Sequence, residues 1–309
     1  MEREERNMKS KIKLFTYFNK PDKAAYIFLL PSFLTFTVFI FMPLLASLLI
    51  SMFDINIFLE NISFSGLENF KRLIFDQRFW NAFKNTLYFT ALEVPIQIIF
   101  SLLLAAYVQK NTVFRRFLRS CFFIPVVCSM TAVGIVWSIL MDPTLGTVPY
   151  MLRFLGLSDI GFLKDPLLAM PTVVLITVWK NFGLTMIILV AGIQSIPDTY
   201  YEAAEIDGSN KWNQFINITI PLIIPTLSFC TITNIINSLQ VFDQTYVMTK
   251  GGPVFKTETL VQYIYTRGFA VAPYDLGYAS AVAEVLFLMI AVIVVLIYQF
   301  FVRKETVDV

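Results

Sequence analysis

Apolar positions in this chain do not alternate with polar ones at a strand period, nor do they trace a narrow helical stripe. They fall into six long runs. Ala24 to Ser51 contains no charged residue. Further runs cover Asn85 to Val108, interrupted only by Glu93; Ser120 to Met141; Leu167 to Ile196, interrupted only by Lys180; Ile216 to Phe242; and Leu276 to Val302, interrupted only by Glu284. Each reaches the roughly 20 residues that cross a bilayer as a helix, and the first far exceeds a signal-peptide apolar region. Isolated strands would leave backbone groups unpaired in lipid, and a barrel would show shorter, alternating segments. The pattern predicts an all-α membrane protein with six transmembrane helices, at about 24–51, 85–108, 119–141, 167–196, 216–242 and 276–302. Residues 1–23 and 303–309 are then tails. The first, third and fifth connections are long enough for short amphipathic helices but not for a folded domain.

Composition agrees. Hydrophobic residues make up 57% and charged residues 15% of the 309, and mean hydropathy is +0.67. A soluble domain is nearer half apolar and a quarter charged. The net charge of +2 gives no reason to expect nucleic acid. There is no histidine, so the commonest metal ligand and the commonest general base are both missing. No metal site and no catalytic group is expected. Cys121, Cys128 and Cys230 lie inside apolar runs without metal or redox spacing and read as small packing residues. On one straight helix Cys121 and Cys128 would stand about 10 Å apart, too far for a disulfide.

Lysine and arginine set the orientation. Arg3, Arg6, Lys9, Lys11, Lys13, Lys20 and Lys23 crowd the N-terminal tail, Lys110, Arg115, Arg116 and Arg119 the second connection, and Arg303 and Lys304 the C-terminal tail. With six spans, both termini are expected in the cytoplasm. The fourth connection, 197–215, shares that side by parity, yet it carries Lys211 against Asp198, Glu202, Glu205 and Asp207. Its local pattern predicts a helix with Thr199 and Glu202 as a capping box, Ala203 and Ala204 propagating it, and Gly208 as the left-handed stop. Ser209 is expected to cap a second helix that meets Pro221 at the membrane.

The string Tyr201-Glu202-Ala203-Ala204, then Asp207-Gly208, Phe215, Ile218, Ile220-Pro221 and Pro225, resembles the cytoplasmic loop signature, or EAA motif, of importer permeases of the ATP-binding-cassette superfamily. The resemblance extends over roughly Asn81 to Val302. Trp179-Lys-Asn-Phe-Gly183, Gln194-Ser-Ile-Pro197, Phe242 to Pro253, Leu276 to Ala281 and Asp142-Pro-Thr-Leu-Gly146 look like the carbohydrate branch. Thr249-Lys-Gly-Gly-Pro253 resembles the larger maltose permease type, without that type's extra N-terminal helices and large insertion. The resemblance implies a type I importer transmembrane domain in a bacterial or archaeal cell membrane, with the translocation path shared with a second sugar permease. It further implies a cytoplasmic ATPase dimer that takes up Tyr201, Glu202, Ala203, Ala204, Asp207 and Gly208, and an extracytoplasmic sugar-binding protein. No cofactor belongs to this chain: it lacks a GxxxxGK[ST] phosphate loop, so ATP falls to the partner.

Asn234, Asn237 and Ser238 share one face of the fifth span, where polar side chains look toward the bundle or a wet path. Interhelical hydrogen bonding explains any one of them as well as sugar contact does; the row favours a path for a molecule with many hydroxyls. Matching the family motifs adds Thr177, Lys180 and Asn181. Lys180, midway along its run, is expected to need a partner, with Glu93 or Glu284 as a structural ion pair and an anionic sugar as the sharper alternative. Two rival functions stand beside the importer: an ion-coupled carrier using Glu93, Lys180 and Glu284 as relay groups, and a membrane enzyme, for which paired catalytic groups are lacking.

Overall fold

The computed structural model describes residues 21–59, 62–156 and 160–305, so 1–20 and 306–309 of the expected tails lie outside the described residues, while 21–23 and 303–305 continue the adjoining helices. Helices dominate. The first run opens as α1 (Pro21–Phe36), passes through a π-helical turn at Thr37–Phe41 and continues as α2 (Met42–Ile50). A two-stranded antiparallel hairpin, β1 (Phe53–Asp54) and β2 (Ser63–Phe64), and the amphipathic α3 (Glu68–Phe75) follow. The second span, α4 (Gln77–Val108), begins at Gln77 rather than Asn85. Asp76 caps it, accepting from the N–H groups of Arg78 at 2.8 Å and Phe79 at 3.3 Å, which satisfies two donors that the helix cannot pair internally.

Two expected single spans are broken. The run 119–141 is α5 (Val113–Val127) and α6 (Met130–Leu140), with axes 93° apart. Cys128 is extended at the corner, three residues after Pro125. Cys121 and Cys128 therefore do not share a straight helix, and Cys128 is exposed. After α7 (Thr147–Phe154) and the unbroken α8 (Ala169–Gln194), the acidic connection forms α9 (Asp198–Ile206) and α10 (Lys211–Gln214). The run 216–242 begins with a π-helical turn at Phe215–Thr219 and a short α11 (Ile220–Leu222), then turns by 70° at Ile223 into α12 (Ile224–Leu239). Pro225 explains the corner: it has no N–H to give the carbonyl of Pro221, and its ring would clash there in a continuous helix. The chain closes with α13 (Asp243–Thr249), α14 (Leu260–Tyr265), a π-helical turn at Thr266–Ala270 and α15 (Leu276–Glu305).

Helix α8 is the axis of the bundle. In its most apolar stretch 61% of residues are buried, against 0% in that of Phe28–Ile50. One apolar cluster joins Phe89, Val173, Val174 and Val241; a second joins Ala105, Met186, Leu189, Ile193 and Ile223 at the end carrying the acidic connection. Gly183 lets α5 lie directly on α8, because a Cβ there would overlap the carbonyl oxygen of Phe122.

Candidate functional site: a polar cavity and an exposed helix

Between the two apolar clusters, α4, α8 and α12, with Val126 of α5 and Gln244 of α13, line a partly open cavity of about 290 Å³. Thr177, Lys180, Asn181, Asn234, Asn237 and Ser238 all line it, so the six path residues expected from the sequence meet in one place. Glu93, Gln97, Thr185 and Gln244 line it as well. Glu93 was already singled out, and the sequence carried a signal for two more: Gln97 falls one turn after Glu93, and Thr185 extends the four-residue spacing of Thr177 and Asn181.

Part of the wall is already paired. Gln97 Nε2 donates to Thr185 Oγ1 at 3.2 Å and to Asn234 Oδ1 at 3.0 Å, and Asn234 Nδ2 donates to Thr185 Oγ1 at 3.3 Å. Ser238 Oγ donates to Thr90 Oγ1 at 3.2 Å, and Thr177 Oγ1 to the carbonyl of Val173 at 2.8 Å. Asn234 and Ser238 thus have packing partners, as the interhelical reading required. Asn181 and Asn237 make no side-chain hydrogen bond among the described residues, and Asn237, which also lines the cavity, is exposed.

Lys180 is paired differently than expected. Its ammonium donates to the carbonyl of Val126 at 3.2 Å, not to Glu93 or Glu284. The break after Val127 frees the last carbonyls of α5, and a cation at a helix C-terminus meets both an unpaired acceptor and the negative end of the helix dipole. The corner in the third span therefore supplies the partner.

At one end of the bundle α9 stands out with Glu202, Ala203, Asp207 and Gly208 exposed. Its stop is as expected. Gly208 has φ +75°, its N–H reaches the carbonyl of Glu205 at 3.1 Å, and the N–H of Ser209 reaches that of Ala204 at 2.8 Å, which is the Schellman pattern. Its start is not. Pro197 is the N-cap, without a side-chain cap bond, so Thr199 and Glu202 form no capping box. Ser209 does not cap the next helix either; Asn210 does, accepting from the N–H of Asn213 at 2.8 Å. Tyr201 faces inward and its hydroxyl lies 2.9 Å from Thr219 Oγ1, tying α9 to the root of the fifth span. Gln194 Nε2 donates to the carbonyl of Gln109 at 2.6 Å, so the second connection reaches this same end.

The opposite end is held by a charged cluster that sequence reading did not single out. Arg78 makes a two-pronged pair with Glu258, at 2.8 and 2.7 Å, and the Glu258 side chain is only 2% exposed. Asp76 accepts from the hydroxyls of Tyr263 and Tyr278 and lies 3.7 Å from Arg267. Burial alone would raise the Asp76 pKa, but those two hydroxyls and the N–H groups of Arg78 and Phe79 outweigh it and hold the carboxyl below its usual range. In the Asp142-Pro-Thr-Leu-Gly146 turn, the Thr144 hydroxyl and backbone N–H likewise hold Asp142 low.

This arrangement, helices around a polar cavity with an exposed helix at one end, is that of a transporter domain. Residues 97–307 match the family described as binding-protein-dependent transport system inner membrane component, and the chain belongs to it. It is a sugar permease subunit of an ATP-binding-cassette importer, an inner-membrane component with several membrane-spanning helices. The lactose transport system permease protein LacF of Rhizobium radiobacter is 35% identical over 289 residues, 92% of this chain and 95% of that one. The trehalose/maltose transport system permease protein MalF of Thermococcus litoralis is 30% identical, over 92% of this chain and 94% of that one. Among solved structures, a bacterial ABC transporter that imports the acidic polysaccharide alginate superposes with a TM-score of 0.79 at 26% identity, covering 94% of this chain and 99% of that one. These relatives are transport permeases, not enzymes.

Proposed function

We propose that this subunit forms one half of an oligosaccharide path, paired with a second sugar permease, and that the helix Asp198–Ile206 couples it to a separate ATPase dimer. The carrying observation is the cavity: all six path residues line one space between three spans. A sugar passing it would exchange water for distributed amides and hydroxyls, the kind of partner its own hydroxyls need. The exposed face of Glu202, Ala203 and Asp207 suits close docking against a basic cleft, while Tyr201 carries displacement of α9 into the fifth span. ATP is bound by the partner, and this chain uses no cofactor or metal. The docking end is cytoplasmic, as are both termini, by the basic residues of the second connection and tails. A binding protein delivers sugar at the opposite end.

The test is co-expression of this chain with its neighbouring transport genes. Glu202→Lys is expected to abolish sugar uptake and ATPase co-purification with normal membrane insertion. Normal uptake and co-purification in this variant would overturn the coupling assignment, and uptake persisting without any ATPase, but collapsing with the ion gradient, would favour an ion-coupled carrier.

A further inference from the structure

At the end of the bundle that carries α9, a groove of about 840 Å³ separates α9 and α10 from the second connection. Charges of both signs line it and stay apart. Lys110 and Arg115 stand on the side of the second connection, Lys211 on α10, and Asp198 and Glu205 on α9; none of the five forms an ion pair among the described residues. Asp198 and Glu205 share one face of α9 with Tyr201, at three- and four-residue spacing, whereas Glu202 and Ala203 take no part in the wall. The Arg115 guanidinium rests over the Tyr107 ring, 5.3 Å from its centre, which holds the charge beside the groove. Ile193 and Ile196, buried at the end of α8, add apolar wall. Tyr107 and Trp212 line the groove with much of their rings exposed, as aromatic residues do at a membrane–water boundary. From Tyr107 an exposed apolar stripe of Leu103, Ile99 and Ile96 continues along α4 toward the middle of the span.

We infer that this groove holds the headgroup of a phospholipid that carries a primary ammonium beside its phosphate, phosphatidylethanolamine, with an acyl chain along the stripe on α4. The inference goes beyond the sugar-path and coupling readings and depends on neither. The headgroup phosphate is matched by Lys110, Arg115 and Lys211, whose N–H groups its oxygens can accept. Its ammonium has three N–H donors for the carboxylates of Asp198 and Glu205, which otherwise have no donor facing them across the groove. Basic pockets at the ends of spans take anionic headgroups, and the two acidic side chains turn this one toward a headgroup of both signs. A purely anionic lipid would set its charge against those carboxylates, and a choline headgroup has no N–H to give them. An acidic segment of a partner protein would meet the same repulsion and would leave the stripe on α4 uncovered.

The test is native mass spectrometry of the complete complex, permeases and ATPase together, purified in a non-ionic detergent. It is titrated with phosphatidylethanolamine, phosphatidylcholine and phosphatidylglycerol of identical acyl chains. Wild type is expected to retain phosphatidylethanolamine about fivefold more tightly than either other lipid, the scale of one well-placed ion pair at a partly exposed site. Combined Asp198→Asn and Glu205→Gln is expected to bring phosphatidylethanolamine down to the level of phosphatidylcholine and to tighten phosphatidylglycerol. Combined Lys110→Gln and Arg115→Gln is expected to weaken all three. These four side chains are exposed or half-exposed, so the variants are expected to assemble, which the same spectra report as subunit masses. Equal retention of phosphatidylethanolamine and phosphatidylcholine by wild type, or tightest retention of phosphatidylglycerol, overturns the inference, as does an unchanged preference in the carboxylate variant. A wild-type complex that retains none of the three has this groove covered by another subunit, and that overturns it too. Sugar uptake is not read, so failure here leaves the sugar-path and coupling readings standing.

Discussion

Two polar clusters are buried in this bundle, and they are built in opposite ways. At the end away from α9, Arg78 and Glu258 satisfy each other, Asp76 takes four donors, and Asn81 and Asn85 give their amide nitrogens to the carbonyl of Phe255 at 2.7 and 2.8 Å. In the cavity, Glu93 Oε2 and Gln97 Oε1 have no partner, and Asn181 and Asn237 present free amides among the described residues. Paired networks stiffen a structure and unpaired buried acceptors cost stability; among the described residues the charged end keeps one such atom, Gln262 Oε1 near Glu258, while the cavity has two on neighbouring turns of α4. Two buried glutamates, Glu258 and Glu93, thus carry the same chemistry and different tasks.

The contrast is broken most severely at Glu258. Glu258→Ala strands Arg78 beside Phe79 and Tyr263, and because the Arg78 side chain keeps 31% exposure the cost is on the order of 2–3 kcal/mol. We expect loss of assembled protein in detergent melting and size-exclusion profiles, whereas Glu93→Gln melts like wild type. Equal melting of the two variants would erase the distinction.

Next in size is Gly208→Val. No atom lies within 4 Å of the position a Cβ would take, so the only penalty is φ +75°, roughly 1–2 kcal/mol and confined to the turn. Uptake is expected to vanish while the spans remain folded, as read by melting of the purified subunit. Retained uptake would detach α9 from coupling.

Lys180→Met is expected to lower stability by only about 1 kcal/mol, because the Val126 carbonyl it leaves behind can be reached by water in the cavity. Also neutralising Glu93 or Glu284 should not restore the loss, which distinguishes the helix-end partner from the ion pair that sequence reasoning anticipated. Restoration by either second substitution, measured by thermal melting, would reinstate the pair.

The smallest effect is pH dependence at Asp76. Its folded pKa is depressed below the ordinary carboxylate value, so its contribution is complete above that value and is lost as pH falls through the lower folded value. Asp76→Asn is expected to flatten that acid-side loss in melts recorded below the ordinary carboxylate range, and to leave the curve near neutrality displaced by a constant amount.

The helical spans were legible in the sequence because lipid permits so few arrangements, and the inward-looking row Asn234, Asn237 and Ser238 followed from the same rule, whereas Thr177, Lys180 and Asn181 came from the family motifs; the structure brings all six to one cavity. The broken spans were less legible. Pro125 and Pro225 stand in plain view, but the apolar runs continue across them, and composition does not distinguish a bent span from a straight one. The partner of Lys180 was illegible for the same reason. A backbone carbonyl freed by a break has no residue type, so no acidic side chain marks it in the sequence. The capping box failed because Pro197, with φ −60° and an extended ψ of 135°, already makes the N-terminal corner of α9 without a side-chain bond. The Asp76 and Glu258 cluster joins residues nearly two hundred positions apart, which no local pattern reveals.

Asn237 tests the central claim most directly, because it lines the cavity yet supports no hydrogen bond among the described residues. The measurement is sugar uptake per assembled complex in proteoliposomes carrying Asn237→Ala, alongside sugar binding by the isolated binding protein. Reduced uptake is expected, with unchanged assembly, melting and binding-protein affinity. Uptake per complex equal to wild type would contradict it, and would leave the polar row as packing between helices.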